Sequence, residues 1–85
     1  MSMRLLYFAW VKEKVGRASE EVAIPENVAT VAELIAWLKS RGPEFANAFE
    51  REHVIRAAID QSHVRHDARI GHAREIAFFP PVTGG

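Results

Sequence analysis

The sequence predicts an α+β domain: a mixed β-sheet with one main helix packed on one face and a flexible C-terminal tail. Three observations carry this expectation. Apolar, strand-like segments stand near both ends of the chain, at Met3–Val11 and Glu75–Phe79. One amphipathic helix with a clear start signal lies between them, from Val31. Two prolines, Pro80 and Pro81, stop the last segment, and no charged side chain occurs from Ile76 to Gly85. Proline has no amide hydrogen to give a sheet ladder, so the strand ends where they begin.

Met3–Val11 is rich in aromatic and branched residues and is apolar on both faces, which suits a central strand. Lys12–Ser19, with Gly16, reads as a turn. Glu20–Ile24 is a short second strand with Val22 and Ile24 on one face, and the two strands form a hairpin. Pro25-Glu26-Asn27 breaks the pattern. The helix then runs from Val31 to about Arg41. Thr30 stands at its N-cap with Glu33 three residues on, the spacing of a capping box. Val31, Leu34, Ile35 and Leu38 fall at i, i+3, i+4 and i+7, one apolar stripe. Gly42 offers a left-handed C-terminal cap and Pro43 blocks continuation. Glu44–Glu50 forms a short helical turn with Phe45 and Phe49 on one side. Val54–Ile59 is a third strand, Asp60-Gln61-Ser62 a turn, His63–His66 a short extended piece and Asp67–Arg74 a polar loop. The last strand is Glu75–Phe79. The order β-β-α-β-(β)-β, with the most apolar strands in the middle, is the β-grasp or ubiquitin-like layout. Residues 1–80 make one such domain and residues 81–85 an extended tail.

Composition narrows the function. With 85 residues there is room for one domain. Lys plus Arg equals Asp plus Glu at 11 each, a formal net charge of zero. That balance gives no electrostatic case for nucleic acid or an anionic membrane. The sequence has no cysteine, which excludes disulfides and thiolate zinc sites. The apolar N-terminal run Met1–Trp10, broken by Lys12, Glu13 and Lys14, is too short for a membrane span and has no signal-peptide layout, so a cytoplasmic location is expected. His53 flanks a strand, and His63, His66 and His72 read as solvated surface residues, with no metal site. Glu50 and Glu52 show no sign of burial that would tune them for catalysis. Trp10 and Trp37 read as packing residues, and Arg4, Arg51, Arg65, Arg69 and Arg74 as solvent-facing.

The last strand and tail carry the functional reading. Adjacent strand residues point to opposite faces, so Phe78 and Phe79 cannot both enter one core. One lies under the helix; the other helps form an exposed apolar patch with Leu or aromatic residues of the first strand. Such a patch marks a partner surface. Alternation alone leaves open which phenylalanine is which. Pro80 and Pro81 stiffen the exit, and an extended chain from Pro80 to Gly85 reaches about 20 Å. Val82, Thr83 and Gly84 would thread a narrow channel, whose walls can close on glycine backbone. The reactive group is the Gly85 carboxylate. It is a poor acyl donor until joined to AMP, after which a sulfur nucleophile can displace AMP and leave a thiocarboxylate. This chain has no nucleotide loop and no thiol, so another protein must do that work.

At these residues the chain resembles the MoaD family, the small sulfur-carrier subunits of molybdopterin synthase within the ubiquitin-like ThiS/MoaD group. The run Ala77-Phe78-Phe79-Pro80-Pro81-Val82-Thr83-Gly84-Gly85 carries the likeness. Leu6-Tyr7-Phe8-Ala9 with Val11 and Gly16, the Thr30–Leu34 helix start and Ala57-Ala58-Ile59-Asp60-Gln61 extend it over nearly the whole chain. The resemblance implies adenylation of Gly85 by a MoeB-type enzyme and sulfur loading from a donor protein. It implies docking on a MoaE-type large subunit in a heterotetramer, with sulfur delivered to cyclic pyranopterin monophosphate. No cofactor is bound tightly; the AMP adduct and the thiocarboxylate are transient states. On this reading the chain is a co-substrate more than an enzyme. One departure stands out: Ala73-Arg74-Glu75 replaces the family's frequent Gly-Asp-Glu, with Gly71 two positions earlier, and Asp60 stands where Asn is common. Two alternatives share the tail chemistry: a ubiquitin-like modifier of lysines and a thiamine-type carrier. The run Phe78–Thr83 argues against the second.

Overall fold

The computed structural model describes residues 2–81, so Val82, Thr83, Gly84 and Gly85, on which the tail expectations fall, lie outside the described residues. The elements in order are β1 (Ser2–Tyr7), α1 (Ala9–Val15), β2 (Ser19–Ala23), α2 (Val31–Lys39) and α3 (Pro43–Ala48). A single 3-10 turn (Glu52–Val54), β3 (Arg56–Ile59), β4 (Ser62–Val64) and β5 (Glu75–Phe79) follow. The strands form one sheet in the order β2-β1-β5-β3-β4. β1 and β5 run parallel, and every other neighbouring pair is antiparallel. The two most apolar strands therefore sit side by side, with β5 at the centre.

One face of the sheet holds the core. Met3, Leu5 and Tyr7 of β1, Ile76 and Phe78 of β5, Ala57 of β3 and Val22 of β2 are buried there. Val31, Leu34, Ile35 and Leu38 of α2 cover them, joined by Val11 and Val15 of α1 and by Phe45, Ala48 and Phe49 in and just after α3. The α2 stripe is the predicted one. Its start is also as predicted: the Thr30 hydroxyl accepts from the Glu33 amide at 3.2 Å, and the Glu33 carboxylate accepts from the Thr30 amide at 3.1 Å. The loop before β5 completes this end. Ala68 and His66 carbonyls accept from the Val31 and Ala32 amides at 3.0 and 2.8 Å. Three amides that the first helical turn leaves unpaired thus find partners.

The structure departs from expectation at three places. The first strand stops at Tyr7, and a helix, α1, occupies what was read as strand end and turn. Ala9 has φ 52°, which turns the chain out of the sheet. Val11 and Val15, one turn apart, then face the core, and Gly16 closes the helix at φ 92° with its amide on the Lys12 carbonyl. β1 and β2 still pair, but through this helix and not a tight hairpin. Gly42 is not a left-handed cap: its backbone is extended (φ 167°) and it precedes α3, with Pro43 in the first turn of that helix. α2 ends at Ser40 in a right-handed conformation, because the Ser40 hydroxyl and amide both bond the Trp37 carbonyl and the Arg41 amide bonds that of Leu38. The third strand begins at Arg56, after the 3-10 turn.

The unusual sequence before β5 is also accounted for. Gly71 takes the left-handed position, at φ 50°. The Asp60 carboxylate accepts from the Arg74 and Glu75 amides, both at 3.0 Å, and so steers the chain into β5.

Candidate functional site

The candidate site is the end of β5, where the chain leaves the sheet toward the tail. Strand alternation divides the two phenylalanines. Phe78 is fully buried, stacked on Tyr7 with centroids 6.3 Å apart and edge-on to Phe49 at 5.2 Å. Of the two candidates for the docking patch, between which alternation left the choice open, Phe78 is therefore the core residue and takes no part in an exposed patch. Phe79 is half-buried on the opposite face, its ring 5.1 Å from that of His63.

No helix covers that face among the described residues. The register sets Leu6 of β1, Ala77 of β5 and Ala58 of β3 in one row, next to Phe79. Extended backbone at Phe8 (φ −124°, ψ 153°) continues the alternation from Leu6, and its amide bonds the Phe78 carbonyl at 3.1 Å. Phe8 is 48% exposed, a large apolar side chain left in water. Leu6, Phe8, Ala77 and Phe79 thus form an apolar strip that ends where the tail begins. The expectation of a first-strand contribution did not single out Phe8. The signal was present, since two-residue alternation from Leu6 points to it.

Pro80 and Pro81 are half-buried. Pro81 lies in a shallow groove with Trp10, Lys14, Arg51 and Val54. The Lys14 ammonium sits over the Trp10 ring, 5.3 Å from its centroid. The 3-10 turn and α1 therefore form one wall of the exit.

The most strongly coupled polar group lies elsewhere, at the edge of the core. Glu20 accepts from the Tyr7 hydroxyl at 2.6 Å, from Arg17 at 2.9 Å and from both Arg41 guanidinium nitrogens at 2.9 and 3.1 Å. Burial opposes its charge, but the hydrogen bonds from Arg41 and Tyr7 and the charges of Arg41 and Arg17 outweigh it. The carboxyl is held below its usual range. The Tyr7 hydroxyl is pushed far above its ordinary range, first by burial and then by its bond to Glu20 and that group's charge. Arg41 also covers the Phe45 ring at 4.7 Å. This network ties β1 and β2 to α3 and holds the β1 end beside the exit.

His63, His66 and His72 do not converge, although His66 shares a groove with His53. His66 bonds the Ile55 carbonyl at 2.7 Å, while His63 packs on Phe79. Among the described residues no group of three or more His, Cys, Asp or Glu side chains is placed to hold a metal ion. Nor is any described helix long and apolar enough to cross a membrane.

Residues 5–85 match the ThiS family. The chain belongs to the ThiS family. Within it, the molybdopterin synthase sulfur carrier subunit of Escherichia coli is 37% identical over 83 residues, covering 98% of this chain and 99% of the relative. The protein of the same name from Haemophilus influenzae is 31% identical over 83 residues, again covering 98% of this chain and 99% of the relative. The likeness to MoaD-type carriers is therefore a full-length one. A small archaeal modifier protein from Haloferax volcanii has the same fold, with a TM-score of 0.71 at 20% identity over 95% of this ThiS-family chain and 98% of that one. Identity that low speaks for the β-grasp fold alone. Fold therefore does not separate carrier from modifier, whereas the sequence relatives bear the carrier name.

Proposed function

We propose that this chain is the sulfur-carrier subunit of a molybdopterin synthase. The observation that carries the reading is the full-length match to relatives of that name at 31–37% identity. The open apolar strip leading to the tail root supports it, since a carrier must dock before its terminus can be used.

The chemistry begins at the Gly85 carboxylate. One carboxylate oxygen attacks the α-phosphorus of ATP on a MoeB-type enzyme; pyrophosphate leaves, and an acyl adenylate remains. A persulfide on a donor protein attacks the acyl carbon and AMP departs with the carboxylate oxygen; a thiol reductant then cleaves the resulting acyl disulfide, forming a new disulfide with the donor's sulfur and leaving a terminal thiocarboxylate. The loaded tail then enters the pocket of a MoaE-type large subunit. There the thiocarboxylate sulfur bonds to a side-chain carbon of cyclic pyranopterin monophosphate, and water hydrolyses the acyl–sulfur bond, leaving sulfur on the pterin and returning the Gly85 carboxylate. Two carriers and two large subunits form the assembly. Leu6, Phe8, Ala77 and Phe79 make the apolar contact, Pro80 and Pro81 direct the exit, and Val82, Thr83 and Gly84 thread the channel. The carrier's part is that of a covalent co-substrate, acting where the cytoplasmic partners are.

Intact-mass measurement tests the loading step. With a competent activating enzyme, ATP and a reduced sulfur donor, the protein gains about 16 Da, one oxygen exchanged for sulfur. An unchanged mass under conditions that load a known carrier rejects the reading.

A further inference from the structure

The exit of the tail is flanked on both sides by basic side chains that, among the described residues, pair with no carboxylate; Lys14 also lies over the Trp10 ring. On one side Lys14 and Arg51 line the groove that holds Pro81. On the other, Arg56 and Arg65 line a groove with His53 and His66. Arg56 is the ladder partner of Phe79, the last residue before the prolines. All four cations are exposed. Among the described residues none of them enters an ion pair or a side-chain hydrogen bond; the pairs that exist use Arg17, Lys39 and Arg41. Among the described residues no carboxylate lines either groove. Glu13 and Glu50 are neighbours in sequence and exposed, and Glu52 is paired with Lys39.

The carboxylates with the most hydrogen bonds stand elsewhere. Glu20 takes three partners at the core edge, Glu33 caps α2, and Asp60 bonds the start of β5 at the far end of the strand. The result is local: an apolar strip whose tail end is bordered by four cations without an ion-pair partner among the described residues. An apolar centre with a charged rim is the usual build of a protein interface. Rim charges chiefly set the rate of encounter and the choice of partner. A nucleic acid would call for a continuous basic stripe, which two short clusters around an apolar strip do not make.

We infer that the partner receiving the tail presents Asp and Glu side chains on both sides of its pocket mouth, and that Lys14, Arg51, Arg56 and Arg65 steer the carrier onto it. This deepens the carrier reading and rests on it. The test measures association of the full-length chain with purified large subunit by stopped flow, at low salt and near 1 M salt. The double variants K14E/R51E and R56E/R65E are compared with R69E, whose site lies at the Ser2 end of the sheet. Thermal melts verify that all variants fold, and the exposed Arg→Gln pair R56Q/R65Q serves if the reversals do not. Each flanking pair is expected to lower the low-salt association rate about tenfold or more, with the difference shrinking at high salt. R69E is expected to stay within about twofold of the parent, since its charge is not at the rim. Equal rates for flanking variants and parent, or a loss that persists at high salt, overturns the inference. So does a loss of binding to phosphatidylserine vesicles with subunit association intact. If the unmodified chain neither binds the large subunit nor delivers sulfur, the carrier reading itself fails; if it does both and the reversals change nothing, only the steering inference fails.

Discussion

Phe78 and Phe79 are chemically identical neighbours with different tasks, and a sheet's two-residue period is the whole reason. That they point apart was legible in the sequence. Which one entered the core was not, because it depends on the register between β1 and β5, a tertiary fact. Phe78→Ala removes a ring packed between Tyr7 and Phe49 and is expected to cost about 3–5 kcal/mol in urea unfolding. Phe79→Ala, half exposed, is expected to cost well under half as much while weakening binding to the large subunit. Equal losses of stability would refute the division of faces. Glu20 offers a second residue-scale test. Its folded pKa is depressed, so its contribution to stability is present above the unfolded carboxylate range and is lost as pH falls through the folded value. Stability is therefore expected to decline below about pH 4.5, near the unfolded glutamate value, and Glu20→Gln should flatten that acid limb. Tyr7 acts in the opposite sense. Its raised pKa gives stability that is complete below the unfolded tyrosine value of about 10 and fades as pH rises above it. Of the three partners of Glu20, Tyr7 and Arg41 were not identifiable from sequence, since they meet it only through the fold.

Among the elements, α2 was the most legible, because its capping box and apolar stripe are local signals that the tertiary structure reinforces. β5 was equally clear, bounded by Pro80. α1 was hidden by an unbroken apolar run from Leu5 to Val11, which reads as one strand. The evidence against that strand was the Val11–Val15 spacing with Gly16 just beyond, the pattern of a short helix and its left-handed cap. Gly16 has nothing near its missing side chain, so a substitution there is penalised by backbone conformation alone. Gly16→Ala is expected to lower stability by about 1 kcal/mol, measured by chemical denaturation. A neutral result would mean that α1 does not end at a left-handed residue.

At the scale of the whole molecule, the β-grasp layout followed from element order, and the sheet bears it out with β1 and β5 at its middle. The five-stranded sheet exposes one apolar strip, and that strip runs to the point where the tail departs. Local patterns could show that such a strip exists, but not that α1 would bring Trp10 and Lys14 to the exit, nor that Arg56 would sit beside Phe79. The fold thus acts as a handle, and the reaction is assigned to the far end of the main chain. The most direct test is a single-turnover transfer: thiocarboxylated protein is mixed with the large subunit and cyclic pyranopterin monophosphate, and both products are weighed. The account predicts that the pterin gains sulfur while the carrier loses about 16 Da and regains its carboxylate. A carrier that keeps its sulfur under conditions where a known carrier delivers it, or that instead becomes joined to protein lysines, would contradict the account.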